Sequence, residues 1–350
     1  MASLINQAGA VGGGGQPSPF RVMRADGELA RAAMARLMAG AGEAGPGGRG
    51  EAARDQGVGL LDDLAQDQGG RLWVAQLEDG SVGEVAQVVP SSGRTAGIYL
   101  APGSRPTRGV QQQRVAVIAA ACAALSRGEY GETVLAQGLL EPGETDAAAA
   151  YLDAGFERLA ELAYLRRDIS RFARYDRPEW GGRGGAEGVG VRVTRMSELP
   201  WDTGQSLLAQ AMEESYAGTL DCPALCGMRT VEDVLASHKS VGAFDPSLWW
   251  LVSAGGRPAG CMLLSRFPAH DTVELVYLGV GPALRGRGVG AGLIALALAE
   301  LQALGEKSLA CAVDLNNAPA LALYKRAKFK EFARRTALIR DLRGAGGRPA

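Results

Sequence analysis

Histidine is almost absent from this chain: His238 and His270 are the only two in 350 residues. Zinc coordination therefore has little to draw on, because Cys222 and Cys226 make half a site at most and no second close cysteine pair completes it. Cysteine is scarce as well. Five residues, Cys122, Cys222, Cys226, Cys261 and Cys311, are odd in number, scattered, and set mostly in apolar runs, which excludes a disulfide framework. A large charge of either sign is missing too, since 37 Lys and Arg stand against 38 Asp and Glu. The near-neutral balance argues against a nucleic-acid partner. No apolar run reaches the ~20 residues of a membrane span, and Met-Ala-Ser-Leu-Ile-Asn-Gln places no basic region before an apolar core. A reducing, cytoplasmic setting with no membrane partner is the expectation.

What is present is ordinary globular material, 47% hydrophobic and 21% charged. The length fits two domains rather than one core. Residues 1 to about 18 are Gly-rich and read as a disordered tail; Gly40 to Gly57 is a second Gly-rich stretch, and residues 176–190 have linker composition. The expected division is a first domain over 19–175, the linker, a second domain over 191–342, and a tail over 343–350.

Four blocks repeat in the same order across the two halves. Tyr151-Leu-Asp-Ala-Gly-Phe156 matches Tyr324-Lys-Arg-Ala-Lys-Phe329 at an offset of 173 (324 minus 151). Ile98-Tyr-Leu100 matches Val276-Tyr-Leu278 at 178, and Trp73 with Gly83 matches Trp250 with Gly260 at 177. Ordered repetition with small insertions points to a tandem duplication of one fold. In the second copy, Val191–Val193 reads as a strand, and Trp201–Ala217 and Thr230–His238 as helices. Leu248–Ala254 and Pro258–Phe267 read as a hairpin turning on Gly255-Gly256, and Thr272–Val280 as a third strand. Gly288–Leu304 reads as a mostly buried helix, Ser308–Val313 as a strand, Pro319–Ala327 as a helix and Phe332–Ile339 as a last strand. The fold class is mixed α/β, each copy a central, mostly antiparallel mixed sheet flanked by helices.

At the centre of the second copy a strand runs into a helix through Val280-Gly-Pro-Ala-Leu-Arg285-Gly286-Arg287-Gly288-Val289-Gly290. Glycines here remove side chains where backbone N–H groups point outward, at the positive end of a helix dipole. That makes a phosphate cradle, with Arg285 and Arg287 adding mobile positive charge at its rim. A Gly-rich turn that merely packs helix on strand is the bland alternative. A Walker loop is excluded because no Gly-Lys-Ser/Thr follows, and a dinucleotide fingerprint is poor because no acidic residue ends the next strand.

With Arg285, Gly288 and Gly290 set as [Gln/Arg]-x-x-Gly-x-[Gly/Ala], and Asn317-Ala-Pro-Ala320-Leu-Ala-Leu323-Tyr324 following a further helix and strand, the chain resembles the GNAT superfamily of N-acetyltransferases. Lys328 departs from the Gly usual before Phe329. The resemblance covers about Val191 to Leu342. It implies a seven-stranded mixed sheet whose fourth and fifth strands splay apart to admit the arm of acetyl-CoA, the cosubstrate, with no metal. The arm would pair with Leu278, Gly279 and Val280, the pyrophosphate would sit on the amides of Arg285, Gly286, Arg287, Gly288, Val289 and Gly290, and Asn317 would lie beside the coenzyme.

Direct attack by an amine needs a base and a donor for the departing thiolate. Tyr324 is the candidate acid and Glu274 the candidate base, with His270 as a substitute. Each has a plainer reading: a half-buried helix aromatic, a solvated strand carboxylate, an inert loop histidine. Acceptor selection falls to Glu213, Glu214, Tyr216, Asp221 and Cys222, whose carboxylates suit a cationic amine or simply form a solvated helix face. In the first copy, registers through Leu100 place Gly288 and Gly290 on Val110 and Gln112, or on Val115 and Val117, so no open cradle and no coenzyme are expected there. The reading is an acyl-CoA-dependent N-acyltransferase acting on a small-molecule or peptide amine. A non-catalytic CoA-binding regulatory module, or a scaffold, is the alternative.

Overall fold

The computed structural model describes residues 19–41, 71–103, 105, 107–178, 180, 190–268 and 271–344. The tail at 1–18, most of the Gly40–Gly57 stretch, most of the 176–190 linker and His270 lie outside the described residues.

The first copy runs β1 (Phe20–Arg24), α1 (Gly27–Ala41), β2 (Leu72–Leu77), β3 (Val82–Ser91), β4 (Thr95–Leu100), α2 (Arg108–Ser126), β5 (Leu135–Leu140), α3 (Thr145–Asp153) and β6 (Glu157–Asp168). The second runs β7 (Val191–Arg195), α4 (Trp201–Tyr216), α5 (Val231–Ser240), β8 (Trp249–Ala254), β9 (Arg257–Phe267), β10 (Thr272–Val280), α6 (Val289–Ala303), β11 (Ser308–Asp314), α7 (Ala318–Arg326) and β12 (Lys330–Asp341). Local chemistry sets the ends of these elements. The β8–β9 hairpin turns on Gly255 and Gly256 at φ 55° and 78°, the left-handed region a two-residue turn requires. Thr230 and Asp233 form a reciprocal capping box that starts α5.

The tandem repeat is borne out, since matching blocks fall on matching strands and helices. The sheets, however, are not separate. Among the described residues, all twelve strands form one sheet in the order β1-β2-β3-β4-β5-β12-β6-β11-β10-β9-β8-β7. Exchanging each strand with the one six places away turns this order into its own reverse. Strand β6 lies antiparallel between β11 and β12, and β12 lies antiparallel between β5 and β6. The seven-stranded sheet implied for the second copy is therefore corrected: its own six strands reach seven only by counting β6, which the first copy supplies.

Burial follows the exchange. Ala163 and Leu165 of β6 are buried in the core under α6 and α7, while Leu338 of β12 is buried in the core with α2 and α3. Full burial of a leucine stabilises by about 1.5–3 kcal/mol, so each copy loses core stability without the other's last strand.

Candidate active site

The site forms where β10 and β11 part. These parallel strands pair only at Val273 with Leu309 and Glu274 with Ala310. Beyond Glu274, β10 keeps its β9 partners through Val280, while on its other edge no strand partner follows among the described residues. Leu278, Gly279 and Val280 thus line an open edge. A register shift between Leu275 and Tyr277 marks a bulge at the point of divergence. Gly279 is needed for packing: a Cβ there would come within 2.6 Å of the Ser215 hydroxyl and 2.5 Å of the Tyr277 hydroxyl.

Beyond the strand, Pro282–Leu284 forms one short helical turn, and α6 begins after Gly288, its N-cap, at φ 77°. No side chain caps this helix, and a Cβ on Gly286 or Gly288 would meet nothing within 4 Å. The first amides of a helix have no intrahelical acceptor, so an uncapped N-terminus facing open space presents donors and a positive dipole end to an anion. Val289 is buried beneath the turn, and Gly290 lets α6 approach α7, where a Cβ would lie 3.4 Å from Leu323.

Arg285 does something other than the sequence reading assigns. Its Nε donates to the Val280 carbonyl at 3.1 Å, and its two Nη groups donate to the Gly218 and Ser215 carbonyls at 2.9 Å. It is a tether that holds the loop against the end of α4, and the expectation of mobile rim charge is corrected on that account. Arg287 is exposed.

Tyr324, on α7, is buried, with its ring 5.2 Å from that of Phe329. Its hydroxyl lies beside the Cys311 thiol, and burial pushes the phenol far above its ordinary value. Burial likewise raises Cys311, with the Glu274 carboxylate adding to the effect. Glu274 lies between Val273 and Leu275, both in the core under α6 and α7. Alternation along a strand therefore turns Glu274 to the opposite sheet face from Tyr324.

That opposite face is closed at one end by the segment after α4. The Asp221 carboxylate accepts the Asp314 N–H at 3.2 Å, and Asp314 accepts the N–H of Cys222 at 3.3 Å. Partial desolvation first, and then the Asp314 carboxylate, push Asp221 above its ordinary value, while the Asp314 N–H and the Asn317 amide oppose the shift. Asn317 also caps α7 through Ala320 N–H. Cys222 is raised to about 12, chiefly by burial. Tyr216 packs edge-on against Tyr277, whose hydroxyl pairs with Ser215 at 2.6 Å, and the His238 ring lies tilted against Tyr277 with centroids 5.5 Å apart. Composition alone gave no signal for His238, Asp314 or Cys311, whose roles follow from strand register and helix packing.

The first copy has the corresponding gap in another state. The helix starts align Thr107 with Gly288, at an offset of 181, so both registers taken from sequence are corrected. The Thr107 hydroxyl accepts the Val110 N–H at 3.2 Å and caps α2. Tyr151 donates to the Ile98 carbonyl across the gap, and Arg114 reaches Glu84 at 2.9 Å as a buried pair. A cavity of about 200 Å³ remains, lined by Tyr99, Leu100, Arg114, Leu139 and Tyr151 among others.

Residues 218–329 match the sequence model of the Acetyltransferase (GNAT) family. The chain carries a GNAT acetyltransferase domain. Among similar proteins, the mycothiol acetyltransferase of Beutenbergia cavernae is 32% identical over 204 residues, 55% of this chain and 62% of that protein. The match thus spans less than two thirds of that relative's length. The mycothiol acetyltransferase of Geodermatophilus obscurus is 28% identical over 276 residues, 76% of this chain and 80% of that one. A solved GCN5-related N-acetyltransferase from Sphaerobacter thermophilus superposes with a TM-score of 0.60 at 18% identity, covering 95% of this chain and 98% of that chain. It carries the same fold across both copies of this chain. No helix among the described residues is long and apolar enough to cross a membrane.

Proposed function

We propose that this protein is a cytoplasmic, acetyl-CoA-dependent N-acetyltransferase that acts on a primary amine, with residues 191–342 as the catalytic unit and β6 as its seventh strand. The observation that carries the proposal is the pairing of an open strand gap with an uncapped helix N-terminus in the second copy. The pyrophosphate of acetyl-CoA binds the amides at the start of α6, and the pantetheine arm runs along Leu278 to Val280. The acceptor nitrogen attacks the thioester carbonyl carbon from the Glu274 face, and Glu274 takes the amine proton directly or through water. As the C–S bond breaks, the Tyr324 hydroxyl gives its proton to the coenzyme sulfur, leaving an amide and free CoA. Desolvation favours the neutral phenol, the form that can donate. Asp221 attracts the acceptor in its ammonium form before deprotonation.

The test is CoA release from acetyl-CoA across a panel of amines, with the mycothiol acetyltransferase reaction first because relatives carry that name. Amine-dependent CoA release is the expected result. Tight acetyl-CoA binding with no turnover on any amine would overturn it in favour of a CoA-binding regulatory module.

A further inference from the structure

The exchanged strand brings residues of the first copy to the acceptor side of the second copy's gap. Cross-strand partners share a sheet face. Glu274 pairs with Ala310, Ala310 with Arg166, and Arg166 with Lys330, so these four residues form one row across β10, β11, β6 and β12. In the neighbouring row, Ala312 pairs with Tyr164. Ala312 is exposed and Ala310 half-buried, which leaves a low floor between Glu274 and the β6 side chains. Two interstrand steps separate Glu274 from Arg166 in the backbone, roughly 10 Å.

The far wall has recognisable chemistry. Tyr164 meets Phe332 edge-on with ring centroids 6.2 Å apart, and Phe332 remains 39% exposed. The Arg166 guanidinium sits 5.4 Å from the Phe332 ring centre and 4.0 Å from the Asp168 carboxylate. Its side chain is 45% exposed, so an incoming oxygen acceptor can reach it. The segment carrying Asp221 and Cys222 closes one end of the floor through Asp314, at the end of β11.

Resting on the proposed amine acetylation, we propose that the acceptor lies in this groove, with its amine at Glu274 and an oxygen-bearing far end held by Arg166 against Tyr164 and Phe332. The acceptor class is a small amine whose body packs flat on the aromatic pair and whose far end carries hydroxyl or carboxylate oxygens. Arg166 and Tyr164 are acceptor-binding residues supplied by the first copy. The first copy thus completes the second copy's substrate site.

Three probes separate the chemistries: n-butylamine, which lacks the oxygenated end; glucosamine, which offers hydroxyls; and glycylglycine, which offers a carboxylate. Binding is read by ligand-observed NMR on the full chain saturated with CoA, and KM by CoA release, for the parent and for Arg166→Gln, Tyr164→Ala and Tyr164→Phe. The expected result is about a tenfold loss of binding and rise in KM for glucosamine or glycylglycine in Arg166→Gln and Tyr164→Ala, with a much smaller change for n-butylamine and unchanged CoA affinity. Selective loss for glycylglycine assigns a carboxylate, and for glucosamine a polyol. Tyr164→Phe, which keeps the ring and its packing, separates the contribution of the hydroxyl. Equal loss for all three amines, or for none, in variants that bind CoA normally would overturn the groove. A parent that binds an oxygenated amine here but releases no CoA would instead overturn the transferase reading.

Discussion

Arg94 and Asp233 stand 139 residues apart and are joined by hydrogen bonds from Nε to both carboxylate oxygens at 3.0 Å and from Nη2 to Oδ2 at 2.6 Å. Arg94 lies in the β3–β4 turn of the first copy, and Asp233 caps α5 in the second. Around them the Ser237 hydroxyl donates to the Ser92 carbonyl at 2.8 Å, and a Cβ on Gly93 would lie 2.0 Å from the Asp233 carbonyl oxygen. The turn is thus packed directly onto the helix beside the acceptor segment. Because the Arg94 side chain is one-third exposed, solvent screens the pair. An Arg94→Ala and Asp233→Ala double-mutant cycle is expected to give a coupling of about 1 kcal/mol in denaturant unfolding. Coupling near zero would mean that close packing at Gly93 holds the turn.

Gly288 is in the left-handed region at φ 77°, where a β-branched residue is strained. Gly288→Val is expected to distort the cradle and weaken acetyl-CoA binding by at least about tenfold. Calorimetry on the parent should find one coenzyme per chain, since Thr107 caps the corresponding helix in the first copy. Two equivalent sites per chain, or a folded Gly288→Val with parental affinity, would contradict this assignment.

Tyr324→Phe removes only the proposed proton donor. Acetyl-CoA affinity should persist while the chemical step slows by ~10²–10⁴-fold. If the tyrosine is purely structural, the variant would lose some stability, because a buried hydroxyl and its polar surroundings are changed, but little turnover. Single-turnover kinetics at saturating acetyl-CoA distinguishes the two outcomes.

His238 is lowered to about 4, first by burial and then by Arg229. Between this value and the unfolded value of about 6.5, the unfolded chain binds a proton that the native site refuses. Stability therefore falls as pH drops from about 6.5 toward 4, by up to roughly 3 kcal/mol, and this contribution levels off below that window. Urea unfolding across this range should show a flatter pH slope in His238→Gln, and an unchanged slope would remove His238 as the cause.

Lys328 adopts φ 63° at the end of α7, where the Phe329 N–H closes back on the Tyr324 carbonyl at 3.0 Å. Its counterpart Gly155 has φ 83°, with the same closure from Phe156 to Tyr151. A non-glycine residue in this conformation costs about 1 kcal/mol. Lys328→Gly should raise unfolding stability by up to that amount, and a loss of stability would show that the lysine side chain makes a compensating contact.

Local chemistry made much of this protein readable from residue order. Leu and Ala crowding over 289–303 encodes α6, Gly255-Gly256 the β8–β9 hairpin, and Gly286 and Gly288 the loop before α6, because turn angles and burial periodicity depend on neighbours within a few positions. The duplicated Tyr151–Phe156 and Tyr324–Phe329 blocks disclosed the tandem layout for the same reason: each closes its own helix.

Tertiary structure alone decided where those elements meet. Nothing local to Glu157–Asp168 directs β6 between β11 and β12, because a strand with two buried edges pairs equally well in either copy until the whole sheet assembles. That placement sets Tyr164 and Arg166 in Glu274's neighbourhood. Arg285 looked like free charge because a guanidinium's partners are set by three-dimensional reach, and here the carbonyls ending α4 lie within it. Thr107 and Gly288 fell into the wrong register because insertions between the copies shift the count, whereas the first turn of a helix fixes which residue caps it.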